Sequence, residues 1–401
     1  MNLKRFILIV IDSLGIGEMS DVKKTRPQDV GANTFLHLIQ SYQTHDIHID
    51  NLVDMGIMNA LKIEFGPFKK SKNAIYGKSA LKHFGADSYF GHQEISGTNP
   101  KKPIFHNLQK FIDEIEKALI ESGFEVTRVF KDDLPLLKVN NLICIGDNME
   151  TDLGQAINVV GDLDNAGMDM IKKVGHIVRG IVKVPRVIAF GGSNVGIEDI
   201  EAAIFTQNNE FIGVDAPKSG VYRYNYHVEH IGYGVDTTKQ VPTALEKIGI
   251  KNYFYGKVSN IIYNPNGDNY DVIDTKETLT LLESDLKRNE PGFYFLNVQE
   301  TDLAGHAENV TRYIDRLNVA DAGIGKIRAQ LKENDVLIVM ADHGNDPTIG
   351  HSKHTREYVP LLIDVKNKRG LTDIGVRSSM ADVGQTVADY FGTEIEFGTS
   401  F

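Results

Sequence analysis

The two ends of the chain contain short apolar runs that do not alternate with polar residues. Each run is rich in β-branched and aromatic residues and is bounded by Gly, Asp or Pro, which is typical of strands buried on both faces of a parallel sheet. The runs span residues 6–11, 253–255, 293–298, 336–340 and 358–365. They predict an α/β fold built on a mainly parallel sheet.

Apolar residues at helical spacing lie between the third and fourth of these runs. Their steps of three and four positions place them on one face of a helix, which would connect two parallel strands. The stripe consists of Tyr313, Leu317, Ala320, Ile324, Ile327 and Leu331. A last helix is predicted over Met380–Phe391. The sheet is therefore expected to be flanked by helices.

The middle of the chain has a different pattern. An amphipathic helix carries its apolar residues on one face: Leu108, Ile112, Ile115 and Leu119. Strand-like segments follow at 141–145 and 186–190. We therefore predict a discontinuous core domain of residues 1–100 and 226–401, with an inserted, smaller α+β cap domain of residues 101–225.

Composition narrows the classes of partner. The 401 residues are 41% hydrophobic and 24% charged, as in ordinary globular proteins. A net charge of −11 disfavours a nucleic-acid partner, because a phosphate backbone favours basic surfaces. It does not disfavour a small phosphorylated substrate, since bound divalent ions reverse the local charge. No run approaches the ~18 apolar residues of a membrane helix, so we expect no membrane span.

Cys144 is the only cysteine, so no intrachain disulfide can form. It lies in an apolar run, which indicates a buried thiol rather than a nucleophile. The N-terminal apolar run of about six residues is too short for the core of a signal peptide. We therefore expect a cytoplasmic protein, while the sequence leaves the oligomeric state open.

Side chains that bind divalent metals follow the predicted strands. Six carboxylate or imidazole side chains are candidate ligands: Asp12, Asp302, His306, Asp342, His343 and His354. Each alone has an ordinary explanation as a cap, a turn residue or a surface histidine. Because ligands gather at the carboxyl ends of strands in open sheets, the set together predicts a two-metal centre, which suits phosphoryl chemistry. Mixed carboxylate and imidazole ligands favour Mn²⁺, Zn²⁺ or Fe²⁺ over Mg²⁺ or Ca²⁺.

Ser88 is the candidate nucleophile. It lies in the segment Gly85-Ala-Asp-Ser-Tyr-Phe-Gly91, between two probable core segments. A serine hydroxyl is a weak nucleophile at neutral pH, and a divalent cation would stabilise its alkoxide for attack on phosphorus. The alternative is an ordinary turn serine.

Four motifs carry a resemblance to a known family: Asp12-Ser-Leu-Gly-Ile-Gly, Asp87-Ser88-x-x-Gly-His-x-Glu, Asp302-x-x-Gly-His306, and Ala-Asp342-His-Gly-Asn-Asp-Pro with His354-Thr-Arg-Glu. Together they resemble phosphopentomutase, a member of the alkaline phosphatase superfamily. The resemblance covers both ends of the chain and is weak over the middle. It implies an alkaline-phosphatase-like core for the discontinuous domain.

The resemblance also implies roles for single residues. The first metal ion would be held by Asp12, Asp342 and His343. The second would be held by Asp302, His306 and His354. Ser88 would be phosphorylated, and Lys257 would lie near the substrate. The family exchanges phosphate between C1 and C5 of ribose or deoxyribose through a phosphoenzyme and a bisphosphorylated sugar, usually with manganese; zinc is the other candidate.

The chain departs from the family pattern at several positions. Ser88 stands where the family usually has threonine, and Gln93 stands where it has tryptophan. Phe190 replaces an arginine that serves substrate recognition in the family. The spacing from Asp302 to His306 is one residue shorter than usual. We expect the metal chemistry to be intact, while the substrate is either a pentose phosphate or another small phosphorylated metabolite.

Other polar residues are weaker candidates for substrate contacts. Asp147, Glu150 and Asp152 could contact sugar hydroxyls, or they could be solvated acids at a helix start. His351 could contact the substrate or support a metal ligand, because it lies close to His354 in sequence.

Three functional hypotheses are compatible with this pattern. The first is a phosphomutase, in which the cap domain acts as a lid that keeps water away from the phosphoenzyme. The second is a metal-dependent phosphomonoesterase or other phosphoester hydrolase. The third is a metal-stabilised binding or regulatory protein without turnover.

Overall fold

The computed structural model describes residues 4–150 and 153–401. The chain divides into two compact units: unit 1 consists of Met1–Pro100 and Asp236–Phe401, and unit 2 of Lys101–Val235. In the described residues no helix is long and apolar enough to cross a membrane.

The described strands are, in chain order, β1 (Arg5–Ile11), β2 (Ala74–Ser79), β3 (Val126–Lys131), β4 (Leu134–Val139), β5 (Ile143–Asp147), β6 (Ala156–Asp162), β7 (Arg186–Gly192), β8 (Ile204–Gln207), β9 (Phe211–Val214), β10 (His227–Gly232), β11 (Asn252–Tyr255), β12 (Asp268–Tyr270), β13 (Gly292–Val298), β14 (Val336–Met340), β15 (Val359–Val365) and β16 (Leu371–Arg377).

The described helices are α1 (Val22–Thr25), α2 (Thr34–Gln40), α3 (Asp50–Asp54), α4 (Ile57–Leu61), α5 (Ser88–Ile95), α6 (Ile112–Glu121), α7 (Leu163–Ile181), α8 (Ile197–Ala202), α9 (Ala216–Ser219), α10 (Val241–Lys247), α11 (Val258–Ile261), α12 (Thr275–Lys287), α13 (Glu300–His306), α14 (Val310–Ala329) and α15 (Ala381–Phe391). Short 3₁₀ turns occupy Pro27–Asp29, Leu108–Lys110 and Thr237–Lys239.

Unit 1 is built on an eight-stranded sheet with the order β12-β11-β13-β1-β14-β15-β2-β16. The pairs from β12 to β14 are parallel, and β1 at the centre is buried along its whole length. The predicted stripe from Tyr313 to Ile327 is the buried face of α14, whose first turn is capped by Asn309. The prediction of an α/β fold with a mainly parallel sheet flanked by helices is confirmed.

The segment 358–365 was grouped with the predicted parallel strands, and this part of the prediction was wrong. Strand β15 pairs antiparallel with both β14 and β2. The chain returns to the sheet through a loop over residues 341–358 instead of a helix, and a loop return without a crossover gives an antiparallel neighbour. Three strands of the sheet, β2, β12 and β16, were not predicted, because many of their residues are partly or fully exposed and do not form an apolar run.

Unit 2 contains a six-stranded sheet with the order β10-β7-β6-β5-β4-β3. Only β6 and β7 of this sheet are parallel, and α7 packs on both. The predicted cap ended at residue 225, whereas unit 2 includes β10, because that strand pairs antiparallel with β7 along the sheet edge. Cys144 lies in the core of this unit as predicted, and burial raises the pKa of its thiol to about 12.

A buried ion pair stabilises the start of the central strand. Arg5 and Asp335 are each 1% exposed and bond to each other. The guanidinium of Arg5 also donates to the carbonyl oxygens of Leu286 at 2.6 Å and Gln330 at 3.1 Å. Arg5 therefore ties β1 to the end of α12 and to the segment before β14.

We predict that Asp335→Ala will lower the free energy of unfolding by about 3–5 kcal/mol, because it leaves a buried guanidinium without a counter-ion. Urea-induced unfolding measures the change. Glu64→Gln is the matched control: it removes an exposed pair with Lys69 and should leave the midpoint unchanged. Equal midpoints for the two variants would contradict the role assigned to Arg5.

Candidate metal centre

Three neighbouring parallel strands bring the candidate ligands to one edge of the sheet. Strand β1 pairs with β13 on one side and with β14 on the other, so that Ile11 lies opposite Val298 and Val10 lies opposite Met340. Their carboxyl ends therefore coincide. Asp12 follows β1, helix α13 with Asp302 and His306 follows β13, and Asp342 and His343 follow β14.

His354 reaches the same edge because its loop folds back on the loop after β14. Gly344 and Thr355 exchange two backbone hydrogen bonds, of 3.0 Å and 2.7 Å. As a result the rings of His343 and His354 stack with their centroids 3.9 Å apart.

The first ligand cluster consists of Asp12, Asp342 and His343, all completely buried. Nε2 of His343 lies 3.5 Å from Oδ1 of Asp12 and 3.2 Å from Oδ2 of Asp342. None of these three atoms has a hydrogen-bond partner in the described structure. Buried polar atoms without partners are costly, so their convergence on one point fits a bound cation.

The second ligand cluster contains Asp302, His343 and His354. Nε2 of His354 lies 3.3 Å from Oδ1 of Asp302, and Nε2 of His306 lies 3.4 Å from Oδ2 of the same carboxylate. His343 thus belongs to both ligand clusters, whereas the sequence predicted two separate sets of three ligands. His306 lies at the outer side of the second cluster, where 43% of its side chain is exposed.

The three histidines are oriented by backbone carbonyl groups. The Nδ1 atoms of His306, His343 and His354 lie 2.6, 3.0 and 2.8 Å from the carbonyl oxygens of Ser352, Gly344 and Ala86, respectively. Such bonds fix the Nδ1–H tautomer and direct the Nε2 lone pair toward a metal. The Nε2 atoms of His306 and His354 are only 2.9 Å apart, and two lone pairs this close require a proton or a cation between them.

The centre attracts positive charge strongly. Burial disfavours the charged form of His343, but the carboxylates of Asp342, Asp12 and Asp302 together outweigh burial and raise the pKa of His343 to about 10. Burial and the negative charge of Asp342 raise the pKa of Asp12. Both pKa values shift upward, and the negative charge of neighbouring buried carboxylates contributes to each shift.

Ser88 is the first residue of helix α5, and Asp87 caps that helix by accepting from the N–H group of Phe90 at 2.9 Å. The Ser88 hydroxyl lies 3.0 Å from the Nζ atom of Lys257, which follows β11. Lys257 is also 2.5 Å from Oδ2 of Asp12. One ammonium group thus contacts both the candidate nucleophile and a candidate metal ligand.

Lys257 remains charged in this position. Burial alone would lower the pKa of its ammonium group, but the carboxylates of Asp12 and Asp302 outweigh burial and raise it. The sequence predicted Lys257 as a substrate contact. The structure shows it in contact with Ser88 and Asp12, and a contact with the substrate stays a prediction.

Two buried charges that sequence reasoning missed hold the loop before Ser88. Arg356 donates to the carbonyl oxygens of Leu81, His83 and Gly85 at 2.9, 2.8 and 2.6 Å. Glu94 accepts from the N–H group of His83 at 2.9 Å and from its ring at 2.8 Å. Both residues stand in the motifs around Ser88 and His354, which was the available signal.

The weaker candidates lie elsewhere. Asp147 is completely buried in unit 2, where it accepts from the N–H groups of Leu108 at 2.7 Å and Ile212 at 3.0 Å, which argues against the predicted contact with a sugar. Glu150 is exposed and accepts from the Tyr222 hydroxyl at 2.8 Å.

Two further candidates remain without a role. Asp152 lies outside the described residues. His351 lies with its Nε2 atom 3.3 Å from Oδ1 of Asp29, and its role as a substrate contact or as a support for a metal ligand stays a prediction.

Buried carboxylates and imidazoles at the carboxyl ends of a mainly parallel sheet define an α/β metalloenzyme. Comparison with protein families agrees: residues 4–395 match the model of the metalloenzyme superfamily. A solved phosphoglycerate mutase of Leishmania mexicana matches 100% of this chain and 98% of its own at 12% identity, with a TM-score of 0.46.

Curated relatives indicate which family within this superfamily the chain resembles. A phosphopentomutase of Symbiobacterium thermophilum is 30% identical over 424 residues, which cover 99% of this chain and 98% of the relative. A phosphopentomutase of Clostridium perfringens is 30% identical over 99% of this chain and 96% of its own. The chain belongs to the phosphopentomutase family of the metalloenzyme superfamily, and the prediction of an enzyme is confirmed.

We predict that manganese will stabilise the protein, because a cation removes the mutual repulsion of Asp12, Asp302 and Asp342. At a hundredfold excess over the dissociation constant, one site adds about 2.7 kcal/mol to the free energy of unfolding. Unfolding with manganese and with excess chelator measures the difference. Asp342→Asn should lose most of the gain, and a gain that survives this change would contradict the ligand set.

Proposed function

We propose that the protein is a phosphomutase that moves a phosphoryl group within a phosphorylated sugar through a phosphoserine at Ser88. The proposal is carried by the meeting of the Ser88 hydroxyl, the Lys257 ammonium group and the Asp12 carboxylate within hydrogen-bond distance. The position of Ser88 in the first turn of α5 adds the partial positive charge of a helix N-terminus, which favours a bound phosphoryl group.

The residues fit a pair of divalent ions. Asp12, Asp342 and His343 would hold the first, and Asp302, His306 and His354 the second, with His343 close enough to serve either. Bound there, the ions would lower the pKa of the Ser88 hydroxyl and neutralise the charge of the phosphoryl group. Manganese is the proposed metal, with zinc as the alternative. Carboxylate and imidazole ligands together suit both ions, and manganese is usual in the family that the motifs resemble.

The reaction needs two chemically equivalent transfers. In the first, which starts from phosphorylated Ser88, a hydroxyl of the monophosphorylated sugar forms a bond to phosphorus as the bond from phosphorus to Oγ of Ser88 breaks. This step gives a bisphosphorylated sugar, and the hydroxyl proton ends on Oγ. In the second, Oγ of Ser88 forms a bond to the other phosphorus of the bisphosphate as the bond from that phosphorus to its sugar oxygen breaks, and the proton ends on that oxygen. Lys257 keeps its proton throughout and offsets the negative charge at Ser88 Oγ.

The proposed substrate is a pentose phosphate, and the proposed reaction converts ribose or deoxyribose 1-phosphate to the 5-phosphate. The bisphosphorylated form of the same sugar would prime the enzyme. The names of the 30% identical relatives support this class. A different phosphorylated metabolite is the alternative substrate, because Phe190 stands where the family has an arginine and provides no positive charge. Its ring stacks against Tyr222 with the centroids 6.0 Å apart. The cytoplasmic location stays a prediction.

A phosphoester hydrolase is the second candidate. The observation that favours it is the exposure of the second cluster, where His306 is 43% exposed and His354 is 20% exposed. Water that reaches this side of the centre could take the phosphoryl group from Ser88.

We predict that Ser88→Ala will reduce phosphate exchange on ribose 5-phosphate by at least about a thousandfold while the manganese content is unchanged, because the variant lacks the attacking oxygen and keeps the proposed ligands. Turnover assays and metal analysis of the same samples measure both. Ser88→Thr is the matched control, since it keeps the hydroxyl group and should retain turnover. Full activity of Ser88→Ala would overturn the assignment of the nucleophile.

Free phosphate distinguishes the two candidate functions. We expect the wild-type enzyme to convert ribose 5-phosphate to its isomer after priming with a bisphosphorylated ribose, with little release of inorganic phosphate. The isomer and free phosphate are measured in the same reaction. Release of phosphate at the rate of substrate loss, without any need for priming, would instead establish the hydrolase.

A further inference from the structure

Two buried side chains connect the helix that begins at Ser88 to the carboxylates of the first ligand cluster. Asn297, near the end of β13, directs its amide nitrogen to Oδ2 of Asp12 at 3.2 Å and to Nε2 of His92 at 2.9 Å. The ring of His92 reaches back along α5, where its Nδ1 atom lies 2.8 Å from the carbonyl oxygen of Ser88. A continuous path of hydrogen bonds therefore runs from Asp12 to Ser88.

The chemistry of the amide fixes the direction of this path. An amide nitrogen only donates, and it carries two hydrogens, so Asn297 can serve Asp12 and His92 at the same time. Nε2 of His92 must then accept, which leaves the proton of the neutral imidazole on Nδ1. That proton points to the Ser88 carbonyl oxygen, and Oδ2 of Asp342 lies 3.3 Å from the same nitrogen.

Close backbone packing supports the same arrangement. A Cβ atom at Gly91 would lie 3.0 Å from both Cβ and the carbonyl oxygen of Asp342, so the helix approaches the end of β14 as closely as glycine allows. The His92 ring also stacks on Phe295 of β13, with centroids 6.1 Å apart. Both His92 and Asn297 are at most 1% exposed, which leaves them no alternative partner in solvent.

We propose that His92 and Asn297 are a positioning pair, which fixes the start of helix α5, and with it the hydroxyl of Ser88, relative to Asp12 and Asp342. The inference rests on the proposed role of Ser88. Neither residue touches the phosphoryl group. Their effect is on geometry, because a displacement of the attacking oxygen by a fraction of an ångström is costly for an in-line transfer.

Kinetics of His92→Phe and Asn297→Ala on ribose 5-phosphate test the pair. Phenylalanine keeps the size and the stacking of the ring but removes both hydrogen bonds. Each variant should lower kcat by about 10–100-fold, with KM within about twofold of wild type and manganese content unchanged. The double variant should be no worse than the poorer single variant, because both changes break one path. Unchanged kcat, loss of metal or additive losses would overturn the proposal.

Two controls separate positioning from general stability. Asn252→Ala removes a buried amide of β11 that bonds to the carbonyl oxygen of Pro242 at 3.0 Å, away from this path. It should lower the unfolding midpoint about as much as Asn297→Ala and leave kcat unchanged. His92→Gln restores a donor and an acceptor and should recover part of the lost kcat. A kcat loss in Asn252→Ala that equals the loss in Asn297→Ala would assign both to stability.

A measurement that does not depend on enzyme turnover tests the positioning pair even if the proposed function is wrong. In the zinc-loaded protein, ¹⁵N resonances of the His92 ring should show the Nδ1–H tautomer, and Asn297→Ala should lose that preference. A wild-type ring protonated on Nε2 would overturn the proposal. By contrast, full activity of Ser88→Ala would reject the proposed nucleophile and leave this result standing.

Discussion

Three buried carboxylates at the ends of adjacent parallel strands dominate the electrostatics of unit 1. Asp12, Asp302 and Asp342 come together because β1 lies between β13 and β14 in a parallel register. Buried carboxylates that converge on one site repel one another more strongly than exposed ones, because burial reduces screening by solvent. Neighbouring residues reduce this repulsion. Lys257 contacts Asp12, and Nε2 of His343 faces the carboxylates of Asp12 and Asp342.

The candidate nucleophile belongs to a different part of the sheet. Ser88 follows β2, which β15 separates from β14. Its position therefore depends on contacts that cross the sheet, among them the bonds of Arg356 to the loop before the helix and the path through His92 and Asn297. The candidate centre thus has two components: candidate ligands that strand register brings together, and a hydroxyl whose helix bonds to buried polar side chains.

Prediction from the sequence succeeded where the signal was local. The apolar runs and the stripe of α14 identified strands and a helix, because burial on both faces or on one face leaves a characteristic spacing. It failed where the signal depended on neighbours. Strand β2 contains Gly77 and Lys78 and resembles a loop, and Asp147 resembled a surface acid although two backbone N–H groups hold it inside unit 2.

The sequence alone determined the types of residue that this protein brings to its chemistry. It supplied the carboxylates and imidazoles after apolar strands, the serine between glycines and the motifs of the phosphopentomutase family, since each is encoded within a few neighbouring positions. The tertiary structure decided the position of His343 in both ligand clusters, the contact of Lys257 with Ser88 and the antiparallel pairing of β15. These features join residues that lie far apart in the chain, and only packing and strand register bring them together.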